Sequence, residues 1–370
     1  MIETESTDSG GMKRQGGDPA GACAEEAPLT PRGKRVPEVK INTSVFIEDN
    51  KKGADLSMWQ FGNLEVERGQ KVTGYLEFPI IEEKLPVFLL NGESEGPTVL
   101  VLGGIHGCEY TSIDAALEIG RRLEPKDIKG RLAVLPIANP EGFFSRSIYV
   151  HPKDNKNLNR VFPGNPNGTE AEKLAYCINE TAFKAADYLI DLHGGDMIEA
   201  LVPFTIYQVT ENSSLTVKSK ELASLFGIEY VVGSTGQVGG STYSSAAYDG
   251  KVAVIAEAGQ QGILDPEQSK LLQDGTLNAL RWAGLLDGEA KTSPVKQLST
   301  FDWSFADVQG LWYPCVEVGQ QVKTGQSLGQ IKNLFGETVK EYFAGSDGVV
   351  LFLVTSLAIN EKDPLIAIGN

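Results

Sequence analysis

Three short runs bring together side chains able to do chemistry: His106-Gly107-Cys108-Glu109, Asp191-Leu192-His193 and Ala256-Glu257-Ala258-Gly259. Two imidazoles and a carboxylate, from His106, Glu109 and His193, make the donor set of a catalytic zinc site, which keeps its fourth position open for water. One Zn2+ per chain is the corresponding expectation. His106 and Glu109 stand three residues apart, so one helical turn sets them side by side. Gly103, Gly104 and Gly107 permit a tight turn and a close backbone approach there. The chain has only 3 histidines, and the one outside these runs, His151, precedes Pro152 in a polar loop and is read as non-ligating.

The remaining groups have roles that follow from their positions. Asp191 precedes His193 by two residues and shares its face of a strand. It can therefore hold the distal nitrogen of that imidazole, behind the ligand shell. Glu257 ends an apolar stretch without a basic neighbour in sequence. An unpaired charge is costly to bury, and a general base that takes a proton from water and hands it to a leaving amine accounts for it. Cys108 is either a thiolate ligand or a small buried residue. If His106 and Glu109 face one point, it faces elsewhere, which favours the second reading.

These groups need elements that aim them at one place. Apolar stretches at 98–102, 188–190 and 252–255 have the character of buried strands, and the chemical runs lie at their carboxyl ends. In a parallel sheet such ends converge on one crevice. Further strands are expected at 131–137 and 202–207, with shorter extended pieces at 71–78 and 86–90. Helices are expected at 111–123, with Ile113, Leu117 and Gly120 on one face, and from Thr169, where Glu172 completes a capping box and Leu174, Ile178 and Ala185 recur. Two more are expected at 214–226, stopped by Gly227, and from an Asp265 cap through Pro266 to about 286. Alternation of this kind predicts an α/β fold with a mixed, mostly parallel sheet flanked by helices.

The expected division is a disordered tail at 1–38, a hydrolase domain at 39–292 with a β-rich lead-in over 39–97, and a small all-β domain at 293–370. The 370 residues, 41% apolar, suffice for one large and one smaller domain. A net charge of −16, from 33 basic and 49 acidic residues, argues against nucleic acid or an anionic membrane as partner. A small molecule remains as the expected partner, and the oligomeric state is left open. The 4 cysteines form no close metal-type pair and no disulfide framework. With no apolar signal region near the start, the expected location is cytoplasmic.

Taken together, His106-x-x-Glu109, Asn157-Leu158-Asn159-Arg160-Val161-Phe162-Pro163-Gly164, Asp191-Leu192-His193-Gly194-Gly195-Asp196 and Ala256-Glu257-Ala258-Gly259 resemble the succinylglutamate desuccinylase/aspartoacylase family. These are zinc N-deacylases related to zinc carboxypeptidases. The resemblance spans about 70–290 in motif order and continues into the β-rich C-terminal part. It implies a zinc-carboxypeptidase-like fold, zinc on His106, Glu109 and His193, and catalysis by Glu257. It also implies that Asn159 and Arg160 line the substrate pocket, Arg160 gripping a carboxylate, and that Arg146 polarises the scissile carbonyl. The long polar loop 139–168 suits such roles, and arginine pairs with a carboxylate through two parallel hydrogen bonds.

The pattern Val316-x-x-Gly319-x-x-Val322-x-x-Gly325-Gln326-x-Leu328 reads as strand, turn, strand and resembles a lipoyl/biotinyl-type β-sandwich. It lacks a carrier lysine between methionines, so no cofactor attachment is expected there. The resulting expectation is a zinc-dependent amidohydrolase acting on a small N-acyl amino acid or related amine. A zinc carboxypeptidase acting on short peptides and a non-catalytic, metal-stabilised ligand-binding protein are the alternatives.

Overall fold

The computed structural model describes residues 58–235 and 239–370. The expected tail 1–38, Cys23 within it, and residues 39–57 of the lead-in lie outside the described residues. In chain order the first strands are Met58–Phe61 (β1), Leu64–Glu67 (β2), Lys71–Leu76 (β3), Leu85–Asn91 (β4), Ser94–Leu102 (β5) and Lys129–Leu135 (β6). They are followed by Tyr188–His193 (β7), Glu199–Leu201 (β8), Phe204–Gln208 (β9), Tyr230–Ser234 (β10), Val252–Glu257 (β11) and Lys296–Leu298 (β12). The α-helices are Tyr110–Arg122 (α1), Pro140–Ser145 (α2), Glu170–Ile178 (α3), Ser213–Ala223 (α4), Thr242–Tyr248 (α5) and Pro266–Trp282 (α6).

Nine strands form one sheet in the order β12-β10-β9-β11-β7-β5-β6-β4-β3. The pairs around β5, β6, β7 and β11 are parallel, whereas β9 meets β11 antiparallel and β4 and β3 close one edge antiparallel. The mixed α/β architecture with a mostly parallel sheet is therefore as expected. Side chains alternate across it as strand geometry requires. Val99, Val101, Ile190, Leu192, Val254 and Ala256 pack in the layer shared with α1, α4 and α6. Leu100, Leu102, Leu189, Ala253 and Ile255 pack in the opposite layer, with α3 and α5. By the same alternation Asp191, His193 and Glu257 project from this second face.

Local signals account for most boundaries. The Thr169 amide donates to Glu172 Oε2 at 2.8 Å, closing the capping box of α3. Asp265 accepts from the amides of Glu267 and Gln268 at the start of α6. Gly120 lies on the buried side of α1 because Phe88 packs on it, where an added Cβ would fall 2.4 Å from the ring.

Several expectations need correction. The strand expected at 202–207 is β9, which begins only after Pro203, a residue with no amide to donate to a ladder, and a short β8 that was not expected precedes it outside the large sheet. A π-helical turn at Asn179–Phe183 follows α3 and shifts its register, so Ala182, Phe183 and Ala186 are buried and Ala185 is exposed. Helix α6 ends at Trp282, ahead of 286, where the chain turns through Gly284 at φ +80°. Short α2, α5 and β10 carried too little periodic pattern to be expected.

The C-terminal strands are Phe301–Phe305 (β13), Gly310–Pro314 (β14), Gln321–Val322 (β15), Ser327–Lys332 (β16), Thr338–Phe343 (β17), Gly348–Val354 (β18), Ala358–Ile359 (β19) and Pro364–Gly369 (β20). They form two sheets, β13-β20-β18-β15 and β17-β16-β14-β19, over a common core that includes Trp312, Leu328, Ile331 and Leu365. Residues 316–320 form a turn rather than the expected first strand, and Val316 reaches into that core from it. The two parts of the chain exchange strands: β12 extends the large sheet beside β10, and β8 adds to the C-terminal sheet beside β18.

Candidate metal centre and substrate recess

His106 and Glu109 lie in the turn between β5 and α1, not on a helix as the spacing suggested. The turn serves equally well, because the Glu109 amide reaches back to the His106 carbonyl at 3.5 Å and closes the same three-residue interval. Gly107 is forced by packing: a Cβ there would lie 2.2 Å from the backbone of Gly142 and Phe143 in α2. Gly104 turns the chain off β5 at φ +65°.

From this turn Glu109 reaches both imidazoles. Its Oε1 lies 2.6 Å from His106 Nδ1 and its Oε2 3.0 Å from His193 Nδ1. The Gly194 amide donates to the same Oε2 at 3.2 Å. One ligand atom from each of His106, Glu109 and His193 falls within 4.8 Å of the others, a grouping that can hold a metal ion. The outer nitrogens complete the fit. His193 Nε2 lies 2.9 Å from Asp191 Oδ2, and His106 Nε2 lies 3.0 Å from Asn157 Oδ1. With both distal nitrogens held by oxygen acceptors, both Nδ1 atoms are directed at the common centre, the orientation that metal ligation needs.

Burial and charge oppose each other here. Burial alone would raise Glu109 and lower both imidazoles. The mutual fields win, bringing Glu109 down to about 2 and raising His106 and His193. Asp191 is fully buried, and its Oδ2 also accepts from Thr242 Oγ1 at 2.5 Å. Among the described residues its Oδ1 has no hydrogen-bond partner. Such an orphan costs about 1–3 kcal/mol, and the adjoining imidazole charge offsets it.

Glu257 ends β11 directly beside His193 in the parallel register with β7. Burial raises its pKa well above the ordinary carboxylate range, against the lowering field of His193. It keeps partial solvent exposure.

The loop after α2 supplies the other expected residues. Arg160 is surrounded by enough protein to lower its pKa, yet it keeps solvent exposure. Its charge acts on Glu257 and Glu199, and its guanidinium donates to the Asn159 carbonyl at 2.8 Å. Among the described residues it makes no ion pair, leaving its fork available to an anion. Asn159 is only 5% exposed, and its Oδ1 accepts from the Thr242 amide at 2.9 Å. Arg146 caps α2 in the left-handed region at φ 53° with an exposed side chain. Its charge acts on Cys108 and Tyr110, and no hydrogen bond ties it to the His–Glu–His cluster.

Cys108 stands outside the cluster. It donates to the Ser147 carbonyl at 3.6 Å, and burial, followed by Asp196, pushes its thiol up to about 11. His151 belongs to a second cluster with Glu83 and Glu141. There His151 Nε2 bonds Glu83 Oε1 at 2.8 Å, and the Lys153 ammonium contacts Glu141, so a cation is already in place.

Reading of the sequence assigned no role to Asn157, Asp196, Glu199 or Thr242. Asp196 is fully buried and accepts from the amides of Tyr149 at 2.8 Å and Met197 at 2.5 Å. Glu199 accepts from the Asp196 amide at 3.0 Å, and burial with the Asp196 charge pushes it up to about 8. Asn157 and Asp196 lie inside the quoted motifs, which was the available signal. Nothing local marks Glu199 or Thr242.

Residues 95–283 match the family described as succinylglutamate desuccinylase/aspartoacylase catalytic domain. The chain is 29% identical over 311 residues to the N-alpha-acetyl-L-2,4-diaminobutyric acid deacetylase of Halomonas elongata, across 80% of this chain and 90% of that protein. It is similar in structure to the product-bound ectoine utilization protein EutE (DoeB) of Ruegeria pomeroyi, with a TM-score of 0.76 and 27% identity over 85% of this chain and 98% of that one. A succinylglutamate desuccinylase/aspartoacylase from Rhodobacter sphaeroides gives a TM-score of 0.73 and 25% identity over 81% of this chain and 95% of that one.

Proposed function

This chain belongs to the succinylglutamate desuccinylase/aspartoacylase family, and on that premise we propose that it is a zinc-dependent deacylase of small N-acyl amino acids. The observation that carries this reading is the convergence of His106, Glu109 and His193 within 4.8 Å, with Glu257 beside His193 on the neighbouring strand. His106 Nδ1, a Glu109 oxygen and His193 Nδ1 would hold the ion. Asp191 and Asn157 would orient the two imidazoles. When bound, zinc supplies a Lewis acid that makes water a nucleophile near neutral pH and draws electron density from an acyl carbonyl.

The remaining work falls to this chain's own residues. Arg160 binds the substrate carboxylate through its fork and sets the amide in the recess, while Asn159 fixes the backbone that carries it. Glu257 takes the proton of the attacking water and delivers it to the nitrogen of the leaving amine. Its raised pKa suits both halves of that transfer. Arg146 is assigned to the negative charge that develops on the acyl oxygen. That role needs its exposed side chain to swing inward with substrate.

The products are a free carboxylate and an amino acid. The Halomonas relative is named for an acetylated diamino acid, so acetyl is the first acyl group to try. In this reading the relationship to zinc carboxypeptidases is one of fold and metal chemistry. The chain is divided into a hydrolase part, 39–292, and a lipoyl/biotinyl-like β part, 293–370, that shapes the recess.

The test is a hydrolysis screen of N-acetyl and N-succinyl amino acids and short peptides with zinc-loaded protein. Release of free amine from acyl amino acids is the expected result. Cleavage of peptides alone would replace this reading with a carboxypeptidase. Tight binding of acyl amino acids without turnover would replace it with a ligand-binding protein.

A further inference from the structure

The segment that carries Arg160 is tied to both imidazoles of the His–Glu–His cluster, by two separate routes. One runs through Asn157, whose Oδ1 lies 3.0 Å from His106 Nε2 and accepts the Asn159 amide at 2.8 Å. The other runs through Thr242. Its Oγ1 donates to Asp191 Oδ2 at 2.5 Å, and that same oxygen lies 2.9 Å from His193 Nε2. The Thr242 amide in turn donates to Asn159 Oδ1 at 2.9 Å. With Glu109 bridging the two Nδ1 atoms, these contacts close into one ring. Building on the zinc site of the deacylase reading, we propose that Thr242 is a positioning residue that couples this site to Arg160, so that ion binding orders the carboxylate-binding segment and a bound carboxylate helps to retain the ion.

The deacylation steps give Thr242 no part, yet its surroundings suit it to transmit order. Thr242 and Asp191 are fully buried and Asn159 is nearly so. In such a setting a hydrogen-bonded network responds as a unit. Asp191 Oδ1 has no partner among the described residues, so Oδ2 carries the bonds to both His193 and Thr242. Thr242 opens α5, where an amide has no partner inside its own helix, and the Asn159 side chain supplies one. The two backbones are closely fitted there. The Phe162 amide donates to the Gly240 carbonyl at 2.9 Å, and a Cβ at Gly240 would fall 1.9 Å from the Arg160 carbonyl oxygen. The Arg160 guanidinium donates to the Asn159 carbonyl at 2.8 Å. Arg160 is therefore held, through its backbone and its guanidinium, by the residue that the Thr242 amide fixes.

The coupling follows from where order is spent. An ion fixes the imidazoles that bind it, and the ring passes that constraint to Asn159. A carboxylate arriving at Arg160 then has less ordering left to do. Linkage makes the effect mutual: the factor by which the ion tightens carboxylate binding is the factor by which the carboxylate tightens ion binding.

The test is hydrogen exchange read by mass spectrometry on the full chain, metal-free and with zinc alone, for wild type, Thr242→Val and Thr242→Ser. Valine keeps the branched shape and the backbone amide but removes the hydroxyl, which serine restores. Comparing each protein with and without zinc separates coupling from a general loss of stability. In wild type zinc should slow exchange over 104–110 and over 157–164, the latter by about 5-fold or more. Thr242→Val should keep the first gain and lose at least half of the second, and Thr242→Ser should keep both. If Thr242→Val does not fold, Asn159→Ala decides, because it cuts the same route on the loop side and leaves the Thr242–Asp191 bond in place; it should lose the second gain in the same way. An undiminished gain over 157–164 in Thr242→Val or in Asn159→Ala, or zinc bound by wild type without that gain, would overturn the proposal. A wild-type chain that takes up no zinc by elemental analysis would overturn the metal reading and the coupling with it. Zinc bound and the gain present, with no acyl amino acid hydrolysed, would overturn the deacylase reading alone.

Discussion

Asn157 Oδ1 lies 3.0 Å from His106 Nε2 and also accepts the Asn159 amide at 2.8 Å. The second bond identifies that atom as the acceptor, so the proton of the His106 contact is on Nε2, and Nδ1 is the nitrogen that faces Glu109. The loop that carries Arg160 is thereby fastened to an imidazole of the His–Glu–His cluster. Asn157→Ala should weaken zinc binding by about 10- to 100-fold, the usual effect of removing a partner behind a ligand. Competition with a chromogenic chelator would measure it, and unchanged affinity would remove Asn157 from that role.

His193 contributes one of three donors from the end of β7. Elemental analysis of the purified protein should find one zinc per chain, and His193→Ala should lose most of it. Full occupancy of the variant at low free zinc would show the ligand set to be wrong.

Arg160 makes no ion pair among the described residues and is exposed. Arg160→Lys keeps the charge but loses the planar fork. KM for carboxylate-bearing substrates should rise at least several-fold, with a smaller change for the corresponding amides. Equal effects on both would take Arg160 out of carboxylate binding.

Glu199 makes stability depend on pH. Its pKa lies near 8 in the folded, metal-free chain against an ordinary value of 4.5. Between these values the folded chain holds a proton that the unfolded chain releases, so this group lowers stability progressively as pH rises from 4.5 to 8. Glu199→Gln removes the effect. The Tm of metal-free wild type, relative to this variant, should fall across that window and level off outside it. A gap that stays constant from pH 5 to 8 would contradict this.

The sequence made the clustering of His106, Glu109 and His193 legible because apolar strand ends and scarce histidines mark it without knowledge of the loops. Asp191 was legible for the same reason, since alternation alone puts it on the face of His193. The turn carrying His106 and Glu109 was mistaken for a helix because an i to i+3 spacing fits both. Ala185 was misplaced because a π-helical turn leaves no mark in an apolar pattern. Asn157 and Thr242 gain their roles only when the loop after α2 and the start of α5 close over the sheet ends. These are contacts between segments far apart in sequence, and no local pattern encodes them.

Glu257 tests the central claim most directly, because the proposed function gives it the proton transfer and no hydrogen bond or ion pair among the described residues explains it. Glu257→Gln keeps the size and much of the hydrogen bonding but cannot accept a proton. Zinc content and turnover of an acyl amino acid would be measured on the same preparation. Zinc should remain at one per chain, and turnover should fall by roughly 10²–10⁴-fold, the scale of a lost general base. Near-normal turnover in this variant, or loss of the zinc with it, would contradict the account.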